Sequence, residues 1–421
     1  MRVLWIGDAC CSTGFSRCTH AGCDALHAAG HEVIILAMNY FGSPGLSKPY
    51  PYIIEPALNP LDGGGDRFGL ERFPVFVDRI KPDAVVMLQD AWNVPGYYEL
   101  FDKWNRKRES GGLEPTPEPT TIGWIACDAK NQRGSDLDRL AHVVAWTEFG
   151  RDEFIVGGYD GPISVVGLGV DTDLFRPVDR AEARRAALGD TFPEDAFIIG
   201  VVGRNQERKR LDLTIEYFAE WIHESGIDNA YLYLHVGPTG DQGCNLQSLV
   251  SYYGLGSDQG DGCGRVILSE PDIGVGIAEE GMRDLYGCFD LYWTTSMGEG
   301  WGLPAHEAMA CGVPCLLPNA SAFSSWPGNA AAGVECSSSA LVAPLHMHPH
   351  TIGAIPDRDD CIRSLDWLYR NPSARERFAK AGLELASKLT WEASGEALAR
   401  IVESVVVNQE ATVAAGGPRR A

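Results

Sequence analysis

The stretch DLYWTTSMGEGWGLPAHEAMACGVPCLLPN, residues 290–319, holds the pattern on which the fold turns. An apolar run over 290–296 leads into a glycine-containing turn. A segment that reads as a helix follows, is stopped by Gly312 and Pro314, and gives way to a second apolar run over 314–319. Strand, helix and strand in that order are the unit of a parallel sheet. Two acids stand eight positions apart inside it, Glu299 before Gly300-Trp301-Gly302-Leu303-Pro304, and Glu307 within or just before the first helical turn. Gly300 and Gly302 let backbone approach a ligand closely, and the helix start presents N–H groups and a positive dipole end, a surface suited to a diphosphate. A carboxylate at Glu307 suits vicinal hydroxyls such as those of a ribose, and Glu299 suits a second polyol. One acid near a helix start has a plainer explanation in the dipole alone; the whole string of acids and glycines exceeds it.

Outward from this unit, apolar runs and amphipathic stretches alternate along the chain. RVLWIG (2–7), HEVIILAM (31–38), PDAVVMLQD (82–90), TIGWIAC (121–127) and HVVAWT (142–147) form one strand series. FIIGVVGR (197–204), AYLYLHVG (230–237) and RVILSE (265–270) join the opening unit in another. Between the two series, ISVVGLGVDTDLFRPV (163–178), with its glycines and Pro177, suits a crossing segment. The expectation is an α/β chain of two doubly wound Rossmann-like domains facing a central cleft, with ligands beyond the carboxyl ends of strands. The boundaries fall at 1–170, 171–390 and 391–421, the last a helix packing back toward the first domain, followed by a mobile tail. The final hundred residues read as helices.

At 421 residues the chain suits two domains, and 45% hydrophobic with 22% charged residues is a soluble globular profile. No apolar run approaches the roughly 18 residues that span a bilayer, and the start lacks a signal-peptide core, which predicts a cytoplasmic protein. Twelve scattered cysteines, Cys10 and Cys11 adjacent, without paired C-x-x-C spacing, read as reduced thiols rather than a zinc site. HMHPH (346–350) reads as a surface loop, so no metal is assigned. A net charge of −22 argues against non-specific binding to nucleic acid or anionic lipid, and permits a local basic patch.

Such a patch is visible in GRNQERKRLDLTIEYF (203–218). A strand ends at Gly203, and Arg204, Arg208, Lys209 and Arg210 crowd the loop before a helix. Cations oppose the dipole there, so phosphate neutralisation is the better account. GDACCSTGFSR (7–17), with Gly14 at the turn, is a third loop able to hold a phosphate or a hydroxyl, and it does not match G-x-G-x-x-G.

Taken together, EGWGLPAHEAMACGVP resembles the E-x7-E signature of retaining, nucleotide-sugar-dependent glycosyltransferases of the GT-B fold, especially glycosyltransferase family four. GRNQERKR is similar to that family's glycine-arginine…lysine element, VVGLGVDTDLFRP to its linker, and LTW at 389–391 to its late helix region. Trp301 stands where Phe is usual, and Arg210 rather than Gly follows Lys209. The resemblance implies that Glu307 holds the donor ribose and Glu299 the donor sugar. It implies that backbone around Gly300, Trp301, Gly302 and Leu303 contacts sugar and diphosphate, with Gly203 and Gly14 nearby. It implies further that Arg204 and Lys209 neutralise the leaving diphosphate, with no cofactor and no metal required. Asp128, in IACDAKNQ, stands in the region where many members use a histidine.

The acceptor is expected on the first domain. QDAWNVPGYY (89–98) and FDKWNRKRESGG (101–112) stand out there; Trp92, and Trp104 with Arg106, would allow base stacking and phosphate contact. A solvated amphipathic helix end explains the second stretch equally well. The chain also resembles phage-encoded glycosyltransferases, some of which act on hydroxymethylated pyrimidines in DNA. DNA therefore stands beside a glycan, a lipid or a small molecule as acceptor. A GT-B-fold sugar-nucleotide epimerase or phosphorylase, or a non-catalytic nucleotide-sugar-binding module, is the alternative.

Overall fold

The computed structural model describes residues 1–10, 13–40, 42, 50–58, 65–189, 192–236, 243–256, 264–269, 277–342 and 350–414. Cys11, the first four residues of HMHPH and the terminal residues from 415 lie outside them. The chain divides into two compact units, one of Met1–Cys127, Asn131–Leu168 and Trp391–Ala421, the other of Asp128–Lys130 and Gly169–Thr390. The short segment Asp128–Lys130 thus departs from a single boundary near 170. Its reason is local: Lys130 exchanges both backbone hydrogen bonds with Ile352, each 3.0 Å long.

The first unit is built on a seven-stranded sheet. Its strands are β1 (Arg2–Asp8), β2 (Glu32–Met38), β3 (Ile53–Pro56), β4 (Ala84–Asp90), β5 (Thr120–Ala126), β6 (His142–Ala145) and β7 (Ile163–Val165). All pair in parallel, in the order β3-β2-β1-β4-β5-β6-β7. β1 and β4 are buried on both faces, which is why their sequences run apolar without alternation. Helices α1 (Gly14–Ala28), α2 (Arg72–Ile80), α3 (Val94–Ser110) and α4 (Glu148–Val156) connect the strands.

The second unit carries six parallel strands: β8 (Phe197–Gly203), β9 (Ala230–Val236), β10 (Val266–Ser269), β11 (Leu291–Trp293), β12 (Cys315–Pro318) and β13 (Ala332–Val334). Their order is β10-β9-β8-β11-β12-β13. Helices α5 (Arg180–Leu188), α6 (Leu211–Ser225), α7 (Leu246–Tyr252), α8 (Glu279–Gly287), α9 (Leu303–Ala310), α10 (Arg358–Arg370) and α11 (Pro372–Ala386) surround it. Two apolar clusters flank this sheet, one around Trp221, Phe218 and Leu365, the other around Tyr286, Phe289 and Met309. An antiparallel hairpin, β14 (Cys336–Leu341) and β15 (Ile352–Pro356), precedes α10. The expectation that the last hundred residues are helical fails here, because β14, CSSSAL, is polar and largely exposed and carries no apolar strand pattern.

The last helix, α12 (Trp391–Ala414), is grouped with the first unit. It seats against α1 where glycines allow close approach: a Cβ on Gly395 would lie 2.6 Å from the Ala21 carbonyl. Ser394 Oγ donates to the Gly167 carbonyl at 2.5 Å, and His31 Nε2 meets Glu403 at 2.9 Å. Among the described residues no helix is long and apolar enough to cross a membrane.

Each sheet reverses its strand order once, beside β1 in the first unit and beside β8 in the second. Loops diverge at such a switch point and leave a crevice at the strands' carboxyl ends. In the second unit that crevice is bounded by the loop after β8 and the turn after β11.

Candidate active site

β8 ends at Gly203, and residues 207–209 form a single 3-10 turn before α6. Arg210 then caps α6 in the left-handed region, φ 49° and ψ 46°. A glycine takes this conformation without strain, whereas another residue costs about 1 kcal/mol. Thr295, fully buried, holds the loop in place: its Oγ1 donates to the Arg210 carbonyl at 2.8 Å and meets Thr214 Oγ1 at 2.6 Å. The Met297 N–H donates to the Arg208 carbonyl at 2.9 Å. Strand β11 and the basic loop are therefore fastened side by side.

That fastening brings charges together. Lys209 Nζ forms an ion pair with Glu299 Oε1, and Arg208 Nη1 lies 3.2 Å from Glu299 Oε2. Arg208 also donates to the Gly298 carbonyl and sets its Nε 3.1 Å from Asp128 Oδ2. The side chains of Glu299, Lys209 and Arg208 are 10%, 15% and 19% exposed. Burial opposes ionisation of Glu299, but Lys209, Arg208 and the Ser296 hydroxyl outweigh it and bring its carboxyl down to about 2. Burial, reinforced by Arg208, lowers the Lys209 ammonium, with Glu299 working against the shift. Each charge of the pair is the other's chief compensation for burial.

The turn after β11 follows from its glycines. A Cβ on Gly298 would stand 1.8 Å from the Asp128 carbonyl oxygen. Gly302, the cap of α9, has φ 90°, and a Cβ there would lie 2.4 Å from the Phe323 ring. Ala305 and His306 turn their N–H groups back on the Gly302 carbonyl, at 3.0 and 3.3 Å. Pro304 has no N–H, so the amides of Gly302 and Leu303 head the helix. Glu307 is the fifth residue of α9, one past the first turn where it was expected; it is 4% exposed and accepts the Tyr286 hydroxyl at 2.7 Å.

Of the residues singled out in the sequence, the structure brings together Glu299, Lys209 and Asp128, with Gly203 and Arg204 at the end of β8 and Gly300, Gly302, Leu303 and Glu307 along the turn and helix. Arg204 is exposed. The Trp301 indole is 3% exposed and stacks on Trp326 at 4.7 Å, so the side chain is a core group and any part in the site falls to its backbone. Arg208, named in sequence only as one of a crowd, is the residue that links Asp128 to Glu299. Its neighbours in RKR hid its direction, which the 3-10 turn decides.

In the first unit, Gly14 is the exposed first residue of α1, behind the cap Thr13, whose Oγ1 accepts the Ser16 N–H and donates to Asp8 at 3.2 Å. Trp92 meets Phe68 edge-on at 5.8 Å. Trp104 donates its indole N–H to Thr116 at 3.1 Å and lies under Arg108, which pairs with Asp78 at 3.0 Å. Arg106 is exposed on the same helix. The aromatic-basic stretch thus spends Trp104 and Arg108 on holding the helix to its own following loop.

Comparison with known proteins places this geometry. A family model described as a family 4 glycosyltransferase in conflict systems matches residues 278–398. A D-inositol 3-phosphate glycosyltransferase of Saccharomonospora viridis is 28% identical over 321 residues, covering 74% of this chain and 65% of its own length. This chain therefore spans just under two thirds of that relative. Sucrose-phosphate synthase from Thermosynechococcus elongatus superposes with a TM-score of 0.72 at 18% identity, over 97% of this chain and 100% of that one. Anabaena HepE, solved in complex with UDP-glucose, gives 0.65 at 14% identity, over 96% and 100%. At such identities the solved structures speak for the fold alone. The chain therefore has the GT-B architecture, and its sequence is similar to those of family-four glycosyltransferases.

Proposed function

We propose that the chain is a retaining glycosyltransferase that moves a hexose-type sugar from a nucleoside diphosphate to a hydroxyl acceptor. The observation that carries this reading is the buried Glu299 carboxylate gripped by Lys209 and Arg208 directly before the N-terminus of α9. A buried ion cluster contributes little net stability once desolvation is counted. Its position at a switch point, on loops, therefore argues for use rather than for scaffolding. UDP-glucose in the HepE structure is consistent with a nucleotide sugar as the donor.

In this reading Glu307 grips the ribose hydroxyls and Glu299 the hydroxyls of the sugar, while the amides of Gly302 and Leu303 head a helix whose dipole meets the diphosphate. Lys209 and Arg204 neutralise that diphosphate. On reaction the anomeric C–O bond to the diphosphate breaks, and its electron pair stays on the departing phosphate. The acceptor oxygen bonds to the anomeric carbon from the same face, and its proton passes to the phosphate oxygen that has just been released. No protein nucleophile and no metal is invoked. Cations placed in advance stabilise the developing charge, and loss of one such donor costs on the order of 3 kcal/mol. Asp128 holds Arg208 and through it the Glu299 side chain, so it orients the cluster.

The relatives named for D-inositol 3-phosphate favour a small phosphorylated polyol as acceptor. Hydroxymethylated pyrimidine in DNA is the second candidate, on the resemblance to phage-encoded enzymes, although Trp104 is already engaged by Thr116 and offers it no anchor. The ten described cysteines are all free thiols, which suits a reducing, cytoplasmic setting. The test is transfer from UDP-, GDP- and ADP-glucose to inositol 3-phosphate and to hydroxymethylcytosine- and hydroxymethyluracil-containing DNA, read by mass, with the product anomer read by proton NMR. The expected result is sugar gain on one acceptor with the donor's anomeric configuration kept. An inverted product, or no donor cleavage in any combination, overturns the reading.

A further inference from the structure

Behind the turn Glu299–Gly302 lies a second short segment, residues 321–326, that fastens it at four points. Ser321 Oγ accepts the Glu299 N–H at 2.9 Å, and the Ala322 N–H donates to the Glu299 carbonyl at 3.2 Å. The N–H and the carbonyl of one residue, Glu299, are thus held by two successive residues. Trp326 Nε1 donates to the Trp301 carbonyl at 2.8 Å, while its ring lies flat on Trp301, 4.7 Å apart and 8° from parallel. Trp301 in turn donates its indole N–H to His306 Nδ1 at 3.2 Å. An indole nitrogen only donates, so His306 must accept at Nδ1 and carry its proton at Nε2. Burial holds this imidazole down to about 3, so it stays neutral and the contact persists at any ordinary pH.

The segment also carries strain. Ser321 has φ 48°, in the left-handed region. A non-glycine residue kept there costs on the order of 1 kcal/mol and persists where its surroundings dictate it. What dictates it here is the hydroxyl on the Glu299 amide, with the Ser321 carbonyl accepting Ser324 Oγ at 2.7 Å. Phe323 fills the space that Gly302 leaves by having no side chain.

We propose that Ser321 and Trp326 are positioning residues for the sugar-binding half of the donor site: they set the Glu299–Gly302 turn before any substrate arrives, so that Glu299 meets the sugar without rearrangement. This rests on the glycosyltransferase reading above. It has a selective consequence, because Glu307 rides on α9 and is tied to Tyr286, outside the bracket. Loosening the bracket weakens the grip on the sugar and the chemical step more than the grip on the nucleotide, which keeps Glu307, Leu303, Lys209 and Arg204.

Two variants test it. Trp326→Phe keeps a ring to stack on Trp301 and removes the N–H. Ser321→Gly removes the hydroxyl while relieving the backbone strain, and its melting temperature reports what the lost hydrogen bond costs the fold. Both are titrated with UDP, GDP and ADP and with the corresponding glucose conjugates, and donor turnover is measured with the melting temperature. For a turn misplaced by a fraction of an ångström, the expected result is a Kd for the nucleoside diphosphate within about twofold of the parent, a Kd for its glucose conjugate raised about tenfold and kcat lowered about tenfold or more. Unchanged conjugate Kd and kcat in both variants overturn the proposal. Equal losses for diphosphate and conjugate, accompanied by a lower melting temperature, reduce the bracket to a stability element and overturn it too. A parent protein that binds no glucose conjugate overturns the underlying reading instead, which separates the two failures.

Discussion

Two stretches of this chain look alike in sequence, ERKR at 207–210 and KWNRKR at 103–108, and they end in opposite roles. In the first, a 3-10 turn sends Arg208 and Lys209 onto one buried carboxylate, Glu299, at the carboxyl edge of a sheet. In the second, the cations are strung along α3: Arg108 pairs with Asp78 and donates to the Glu114 carbonyl at 2.8 Å, and Lys103, Arg106 and Lys107 are exposed. Cations crowd both stretches. What separates them is whether the backbone makes neighbouring cations share a buried partner, since a shared buried charge is costly and is kept only for use, whereas exposed pairs contribute at most about 1 kcal/mol.

The comparison breaks most visibly in turnover. Lys209→Ala should lower donor turnover by about 10²- to 10³-fold, as loss of one pre-placed charge does elsewhere, while Lys107→Ala stays within about twofold. Similar losses in both would erase the distinction.

Acid stability sharpens it next. The Glu299 carboxyl is held at about 2 against an ordinary 4.5. A depressed carboxyl contributes stability that is fully present above the ordinary value and is lost as pH falls through the folded one. The window is therefore pH 4.5 down to about 2. Urea midpoints measured across that window should fall for the parent and fall less for Glu299→Gln, which is weaker at neutral pH because it strands two cations. An unchanged slope in the variant would remove Glu299 from the centre of the cluster.

Gly298→Ala forces a Cβ against the Asp128 carbonyl and should cost about 1–3 kcal/mol, with activity falling further because the displaced atoms carry Glu299. Smallest is Trp104→Phe, which loses one hydrogen bond to Thr116: about 1 kcal/mol of stability and no change in turnover or in either substrate's KM. A raised acceptor KM there would return α3 to the binding surface.

Much of this architecture was legible as text. The runs that became β1, β4, β8 and β9 are continuously apolar because parallel strands are covered on both faces, and their ends were placed to within a few residues. The hairpin β14–β15 was not, because its first strand is three serines in a row, held by pairing rather than by burial. Nor was the docking of Asp128–Lys130 on the second unit, which depends on backbone exchange with Ile352, more than two hundred residues away. At the site, the acids and glycines of 299–307 carry their spacing in the sequence. The bracket does not, since nothing in SAFSSW announces that Trp326 will donate to Trp301. Arg210 is an instructive middle case: it is not a glycine, yet the backbone keeps the left-handed conformation, and Asp212 holds the guanidinium at 2.8 Å.

On the function proposed above, residues 203–209 and 299–307 form one nucleotide-sugar site. Its most direct test is a thermal melt of the parent protein, and of Lys209→Ala, titrated with UDP-glucose, GDP-glucose and ADP-glucose. At a hundred times the Kd a bound ligand adds about 2.7 kcal/mol to stability, enough to raise a melting temperature by several degrees. The expected result is a saturable rise with at least one of the three donors, lost in Lys209→Ala. No rise with any donor, or an equal rise in the variant, would contradict it.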